Sequence, residues 1–170
     1  TELMQGKTLE DLNFTKEVIP NFQAVKEAVL PFKRFPGSDT LLGPEMRSTG
    51  EVMGLAKDFG IAYAKSELAA GNGVPTKGVA FLSTNDLDKS YLFEIANDLT
   101  NLGFKLIATE GTSNYLSNLG INVESVFKVH EGRPNIEDMI RSGLVQLVIN
   151  TPIGSQALYD DQYLRRASLE

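Results

Sequence analysis

The sequence predicts an α/β fold of Rossmann type, an open parallel sheet with flanking helices. Three observations predict it. Short apolar runs alternate with amphipathic segments from Lys77 onward, and glycines close most of those segments. The chain has 170 residues, of which 42% are hydrophobic and 22% charged, as in a globular domain. Because strands separated by single helices require right-handed crossovers, the sheet is expected to be parallel.

The composition excludes several classes of function. The chain has no cysteine and one histidine, which excludes disulfides, thiolate nucleophiles and clusters of cysteine or histidine around a metal. A net charge of −6 argues against a nucleic-acid surface. Since we find neither a secretory signal nor an apolar run of about 20 residues, we expect no membrane partner and a cytoplasmic location. The first residue is not Met, so we expect a fragment of a longer protein.

Residues 1–47 differ in character from the rest of the chain. Four prolines interrupt any long helix there: Pro20, Pro31, Pro36 and Pro44. Residues 24–35 are mostly apolar with a proline among them, which favours an edge or terminal strand. Because this segment is too short to bury a core of its own, we interpret it as the tail of a preceding domain.

A linking helix is predicted over residues 48–73. Ser48 and Glu51 have the spacing of a capping box. Apolar residues then recur at helical intervals: Val52, Leu55, Ala56, Phe59, Ala62 and Tyr63. The helix is expected to run to about Ala70, because two glycines follow directly.

Residues 74–170 are expected to form one α/β domain with four strands. The predicted strands are residues 78–83, 104–108, 123–129 and 144–150. Helices are expected between them, and a last helix begins near Ser155. Asn85 or Asp86 is expected to cap the first of these helices. The apolar stripe of that helix is Leu92, Ile95, Ala96, Leu99 and Leu102. Since a helix is an unusual last element, we expect that the domain is truncated at its C-terminus.

Polar connections follow the four predicted strands, at the edge where parallel sheets bind ligands. Residues 109–113 are the most informative, because Gly111 lies between hydroxyl side chains at the start of a helix. Free N–H groups at a helix N-terminus suit a phosphate, and Lys89 and Lys128 on neighbouring connections would balance its charge. The alternative is an ordinary βα turn with a hydroxyl N-cap. The segment matches neither a P-loop nor a dinucleotide-binding glycine pattern.

His130 is the one histidine, and we interpret it as a hydrogen-bonding residue. Its carboxylate neighbour in sequence is Glu131, and no nucleophile elbow accompanies it. Arg133 either binds an anion or pairs with a nearby glutamate. No metal site and no catalytic residue are predicted.

Two blocks of sequence resemble the carbamoyl-phosphate synthase large chains. Residues 42–54, LGPEMRSTGEVMG, with Val-Lys-Glu at 25–27, resemble the end of the second ATP-grasp half of that family. ATEGT at 108–112, KVHEGRP at 128–134 and INT at 149–151 resemble its C-terminal methylglyoxal-synthase-like (MGS-like) domain. The blocks occur in the family's order, so the resemblance covers nearly the whole chain. It implies an ATP-grasp tail at 1–47 and an MGS-like allosteric domain at 74–170.

The resemblance implies regulation by a nucleotide, with UMP as inhibitor and IMP as activator in many bacterial members. The implied phosphate-binding residues are Lys89, Thr109, Gly111, Thr112 and Lys128. Those facing the ribose or base are Ser83, Asn150 and Thr151. Glu27 matches a carboxylate that holds ornithine. Pro152 departs from the pattern, since relatives often have a second threonine there.

The implied parent is a ligase that makes carbamoyl phosphate for pyrimidine and arginine biosynthesis. It would use two ATP with Mg²⁺ or Mn²⁺, bicarbonate, and ammonia from a glutaminase small chain. The resemblance places its nucleotide-binding and metal-binding carboxylates upstream of Thr1, so this chain is expected to be non-catalytic and to need no cofactor. Two alternatives remain: a methylglyoxal synthase-type lyase and a structural domain that binds no effector.

Overall fold

The computed structural model describes residues 1–35, 40–41 and 48–169, apart from the side chains of Lys33 and Gln156. The chain divides into two compact units. One comprises Thr1–Val29 and Gly50–Asn72, and the other comprises Leu30–Thr49 and Gly73–Glu170. Residues 42–47 of the LGPEMRSTGEVMG block, together with Pro36, lie outside the described part of the chain.

The first unit is a two-stranded antiparallel sheet with one helix. Strand β1 (Gln23–Val29) pairs with β2 (Gly50–Ala56), and helix α1 (Phe59–Ala70) follows. The strand predicted over residues 24–35 is observed only to Val29. Pro31 has no N–H to continue the ladder, and a short 3₁₀ helix, Phe32–Arg34, comes after it in the second unit.

The prediction of a helix over residues 48–73 is wrong in its first half, which forms β2. Burial alternates along this strand, with Val52 and Gly54 turned inward and Met53 and Leu55 exposed. Pairing with β1 therefore overrides the helical spacing. Gly54 also permits close packing, since a Cβ there would lie 1.9 Å from the carbonyl oxygen of Ala62 on α1.

The end of α1 matches the prediction. Asp58 caps its start by accepting a hydrogen bond from the backbone N–H of Ile61 at 3.0 Å. Gly71 ends the helix after Ala70 with φ of 87°, a left-handed conformation that glycine adopts at low cost.

The second unit is a four-stranded parallel sheet, which confirms the predicted fold class. Its strands are β3 (Gly78–Thr84), β4 (Phe104–Thr109), β5 (Glu124–Val126) and β6 (Leu147–Thr151). Their order across the sheet is β5-β4-β3-β6. The chain therefore moves outward from β3 to β5 and then returns to the other side of β3. The carboxyl ends of β3 and β6 flank the resulting topological switch point, where open α/β sheets bind ligands.

Helices cover both faces of this sheet. Helices α2 (Lys89–Asn101) and α3 (Glu110–Asn118) pack on one face, through Leu92, Ala96 and Leu116. Helices α4 (Ile136–Arg141) and α5 (Ser155–Leu169) pack on the other, where Phe81 and Ile107 meet residues of both helices. Central strands buried on both faces explain why their sequences are continuous apolar runs.

Several boundaries differ from the prediction. Helix α2 begins at Lys89, because the Asn85 side chain instead accepts hydrogen bonds from Leu87 and Asp88 and forms a turn. Of its predicted apolar stripe, Ile95 and Leu102 are exposed. Helix α3 starts at Glu110, directly after β4, while β5 and β6 are shorter than predicted.

Candidate functional site

A cavity of about 810 Å³ lies in the second unit at the carboxyl ends of its strands. All eight residues predicted from the resemblance to contact an effector line it. They are Ser83, Lys89, Thr109, Gly111, Thr112, Lys128, Asn150 and Thr151. They come from the connections after all four strands, which the parallel sheet brings to one edge. Their binding of an effector stays a prediction.

The segment from Thr109 to Ser113 forms the base of one part of the cavity. Strand β4 ends at Thr109 and α3 begins at the next residue, so the helix points its first N–H groups toward the cavity edge. Thr109 makes no side-chain cap to them. A Cβ at Gly111 would meet no atom within 4 Å, which leaves space for a ligand against the backbone. These features favour an anion.

Thr112 fastens this segment to the neighbouring strand. Its hydroxyl oxygen accepts a hydrogen bond from the backbone N–H of Thr84 at 3.2 Å and from the hydroxyl of Thr109 at 3.3 Å. Thr112 is 2% exposed and Thr109 5%. From the sequence we expect Thr112 to lie outside the core, and this is wrong. Both bonds use its acceptor positions, so its own proton can be donated to a ligand.

Two lysines bring positive charge to the cavity, and each is paired with a carboxylate. The Nζ of Lys89 lies 2.6 Å from Oδ1 of Asp86, and it also lies 5.8 Å from the centre of the Tyr115 ring. The hydrogen bond and charge of Lys89 lower the pKa of the Asp86 carboxyl. The Nζ of Lys128 lies 3.8 Å from Oε1 of Glu131. An ammonium group has three donors, so each lysine can also bind an anion.

Asn150 and Thr151 end β6 opposite the end of β3. They pair in register with Ser83 and Thr84. The Asn150 side chain donates to Oδ1 of Asp161 at 2.7 Å. The Thr151 hydroxyl accepts from the backbone N–H and the side-chain amide of Asn85, both at 3.2 Å. The two β-strand ends are thereby held together across the switch point.

An aromatic cluster of His130, Tyr159 and Tyr163 lies on the β5–α4 connection and α5, and its first two members line the cavity. The His130 ring stacks on Tyr159 with centroids 5.7 Å apart, and its Nε2 lies 2.9 Å from Oδ1 of Asp160. The hydroxyls of Tyr159 and Tyr163 lie 2.7 Å apart. That hydrogen bond raises the pKa of the Tyr163 phenol. His130 is thus hydrogen-bonded within the chain, and its interpretation as a structural residue stays a prediction.

Glu27 lies on β1 in the first unit, paired in register with Val52, and is not among the residues that line the cavity. Within residues 1–35, 40–41 and 48–169 no three acidic or histidine side chains are grouped as a metal site would require. The helices that the structure describes include none with the length and apolar character to cross a membrane.

Several polar residues in or beside the cavity were not predicted as site residues. Thr84 and Asn85 belong to a connection recognised from the sequence, but their hydrogen bonds to Thr112 and Thr151 join segments far apart in the chain. Tyr159 and Tyr163 carry a signal that could have been found. Their spacing of four places them on one face of the last helix.

The comparisons with known proteins agree with this architecture. A family model described as "MGS-like domain" matches residues 91–170. Several relatives match nearly the whole chain. The "Carbamoyl phosphate synthase large chain" of Nostoc sp. is 56% identical over 167 residues, which is 98% of this chain and 15% of the relative. The protein of that name from Pseudomonas syringae pv. tomato is 52% identical over 168 residues, 99% of this chain and 16% of the relative.

The third relative is from Oryza sativa subsp. japonica, the "Carbamoyl phosphate synthase arginine-specific large chain, chloroplastic". It is 51% identical over 168 residues, 98% of this chain and 14% of the relative. The chain therefore spans between 14% and 16% of the length of these three proteins.

The parallel sheet, its rim cavity and the family match define residues 91–170 as part of an MGS-like domain. Both of the bacterial relatives are more than 50% identical to this chain along almost its whole length, and both are large chains of the same name. The chain belongs to the carbamoyl phosphate synthase large-chain family, of which it spans one segment.

Proposed function

We propose that this chain is the regulatory segment of a carbamoyl phosphate synthase large chain, and that its cavity binds a nucleotide effector of the UMP or IMP type. One observation carries the proposal. The N-terminus of α3, Gly111, Thr112 and two lysines converge on a single cavity with Asn150 and Thr151 beside them. Such an arrangement suits a phosphate joined to a polar group.

The proposal extends to the parent protein. Its relatives are named as synthase large chains, and one is named as arginine-specific. We propose a ligase that makes carbamoyl phosphate with ATP and Mg²⁺ or Mn²⁺ and takes ammonia from a glutaminase small chain. Glu27 would contribute to an ornithine site. A cytoplasmic location stays a prediction. The relative from Oryza sativa is named as chloroplastic. The chain by itself is expected to show no bicarbonate-dependent ATP hydrolysis.

A lyase of the methylglyoxal synthase type is less well supported. It would need a carboxylate base beside the phosphate site. The cavity has four carboxylates: Asp86, Glu131, Asp160 and Asp161. Each is paired with a lysine, an arginine or His130. None of these four carboxylates therefore stands unpaired beside the phosphate-binding segment.

Calorimetric titration with UMP and IMP tests the proposed effector site. Lys128→Ala removes one charge-assisted contact to the phosphate, so we expect nucleotide affinity to fall about 10- to 150-fold, on the order of 1.5–3 kcal/mol. Lys105→Ala is the matched control. Lys105 lies on β4, pairs with Glu124 at 2.8 Å and does not line the cavity.

Two outcomes would contradict the placement of the site. Equal nucleotide affinity in the wild type and Lys128→Ala would remove Lys128 from it. Absence of binding of both nucleotides by the wild type would favour a structural domain instead.

A further inference from the structure

The cavity has room for more than a phosphate, and part of its lining is aromatic. A volume of about 810 Å³ lies within the range of sites for whole small molecules, about 300–1,000 Å³. Beyond the phosphate-binding segment, the β5–α4 connection and α5 contribute His130, Tyr159 and Ala157. Ile153 adds apolar surface from the connection after β6. A ligand with a flat apolar portion would fit this lining.

The Tyr159 ring is held in place by its neighbours. His130 stacks on it with an interplanar angle of 21°, and Tyr163 meets it edge to face with centroids 5.2 Å apart. The hydroxyl of Tyr159 is also hydrogen-bonded to that of Tyr163. His130 is anchored in turn at Asp160. Ordering this ring on ligand binding therefore costs little conformational entropy.

Tyr159 nevertheless remains 50% exposed, although it lines the cavity. An aromatic ring that is fixed and partly open to a ligand cavity has the features of a stacking surface. Nucleobases stack on such rings whatever their hydrogen-bonding pattern, because every base has a π-face.

We propose that Tyr159, braced by His130 and Tyr163, is the stacking surface for the base of the effector and determines how strongly purines are preferred over pyrimidines. This inference rests on the proposed function, because it needs the phosphate to be held beside Thr112 and Lys128. Since a purine covers more of the ring than a pyrimidine does, the contribution of Tyr159 is larger for IMP than for UMP.

Calorimetry with IMP, UMP and ribose 5-phosphate separates base binding from phosphate binding. Tyr159→Ala is expected to weaken IMP about tenfold and UMP less, while the affinity for ribose 5-phosphate stays within about twofold. Tyr159→Phe keeps the ring and is expected to keep IMP affinity within about threefold. Tyr91→Ala is the matched control, since Tyr91 lies on α2, is 71% exposed and does not line the cavity.

The results distinguish this inference from the proposed function. Unchanged IMP affinity in Tyr159→Ala, with binding still sensitive to Lys128→Ala, would overturn the stacking surface alone. An equal loss of IMP and ribose 5-phosphate would show that Tyr159 maintains the shape of the cavity instead, and would also overturn it. A wild type that binds none of the three ligands would overturn the proposed function.

Discussion

Among the residues that line the cavity, Thr112 is the one whose replacement is expected to destabilise the second unit most. Its hydroxyl is the acceptor for the partly buried N–H of Thr84, and a valine would keep the shape but leave that N–H without this partner. We expect Thr112→Val to lower the free energy of unfolding by about 1–3 kcal/mol. Nucleotide affinity should fall as well, by roughly 0.5–1.5 kcal/mol. Urea unfolding and calorimetry measure the two effects.

Thr109→Val is the matched control for that substitution. Thr109 is also buried, but its hydroxyl donates to the hydroxyl of Thr112. That bond involves no backbone N–H, unlike the bond from Thr84 to Thr112. Thr109→Val should therefore lower the free energy of unfolding by about 1 kcal/mol less than Thr112→Val does. Equal costs for the two variants would show that the bond to Thr84 contributes little.

Asp86 is expected to compete with the effector for Lys89. Its carboxylate lies 2.6 Å from the lysine Nζ, in the position of a counter-anion at the cavity. Replacing it by asparagine removes that charge. We expect Asp86→Asn to raise nucleotide affinity about two- to fivefold, the value of an exposed ion pair. The comparison is Asp98→Asn, which changes the net charge equally on the exposed side of α2. An unchanged or lower affinity in Asp86→Asn alone would contradict the competition.

Among single residues, the sequence was most informative at the strand ends. Hydroxyl, amide and lysine side chains after predicted strands could be assigned to one edge, because parallel strands end together. Thr109, Thr112 and Asn150 do lie there. The carboxylate partners of the lysines, and the burial of Thr112, could not be predicted, since they depend on side-chain packing across distant segments.

At the scale of elements, the stability of helix α5 should be sensitive to alkaline pH, because Tyr159 and Tyr163 one turn apart on it share a hydrogen bond. The hydrogen bond to Tyr159 raises the pKa of Tyr163 above its usual value of 10.0. The folded state then keeps a proton that the unfolded state has lost. Stability from this bond is thus complete below pH 10.0 and declines as pH rises through the folded pKa.

Tyr163→Phe removes that titration. We therefore expect the stability of the variant to fall less than that of the wild type between neutral and alkaline pH, in urea unfolding followed at each pH. Tyr91→Phe, on α2, provides the comparison. Parallel alkaline losses in Tyr163→Phe and the wild type would show that the hydroxyl pair contributes nothing to stability.

The elements themselves were predictable where one signal dominated. Continuous apolar runs located β3 and β4, and Gly103 located the end of α2. Residues 50–56 carried two signals, because Val52, Leu55 and Ala56 fit a helical stripe while Gly50 and Gly54 disfavour a helix. Pairing with β1, whose residues lie 21 to 33 positions earlier in the chain than their partners, decides for the strand. The spacing of apolar residues within one segment contains no information about a partner strand elsewhere in the chain.

At the scale of the whole molecule, the two compact units divide the roles. Every residue that lines the cavity belongs to the second unit. The first unit contains Glu27 and the α1 helix, packed on a strand pair. The binding site is therefore expected to be complete without any residue of the first unit.

Gly54→Ala tests this division. The added Cβ would lie 1.9 Å from the carbonyl oxygen of Ala62 and 2.7 Å from the backbone nitrogen of Ser66, and backbone atoms cannot rotate away as a side chain would. We expect at least about 1–3 kcal/mol of destabilisation, the usual cost of overpacking. Hydrogen exchange in β2 and α1 should then accelerate, while nucleotide affinity in calorimetry stays within about twofold, because the clash lies wholly within the first unit. Gly50→Ala is the control, since a Cβ there meets no atom within 4 Å. If Gly54→Ala weakened nucleotide binding as strongly as Lys128→Ala does, the site would depend on the first unit, and the effector would in turn stabilise that unit by the same coupling free energy.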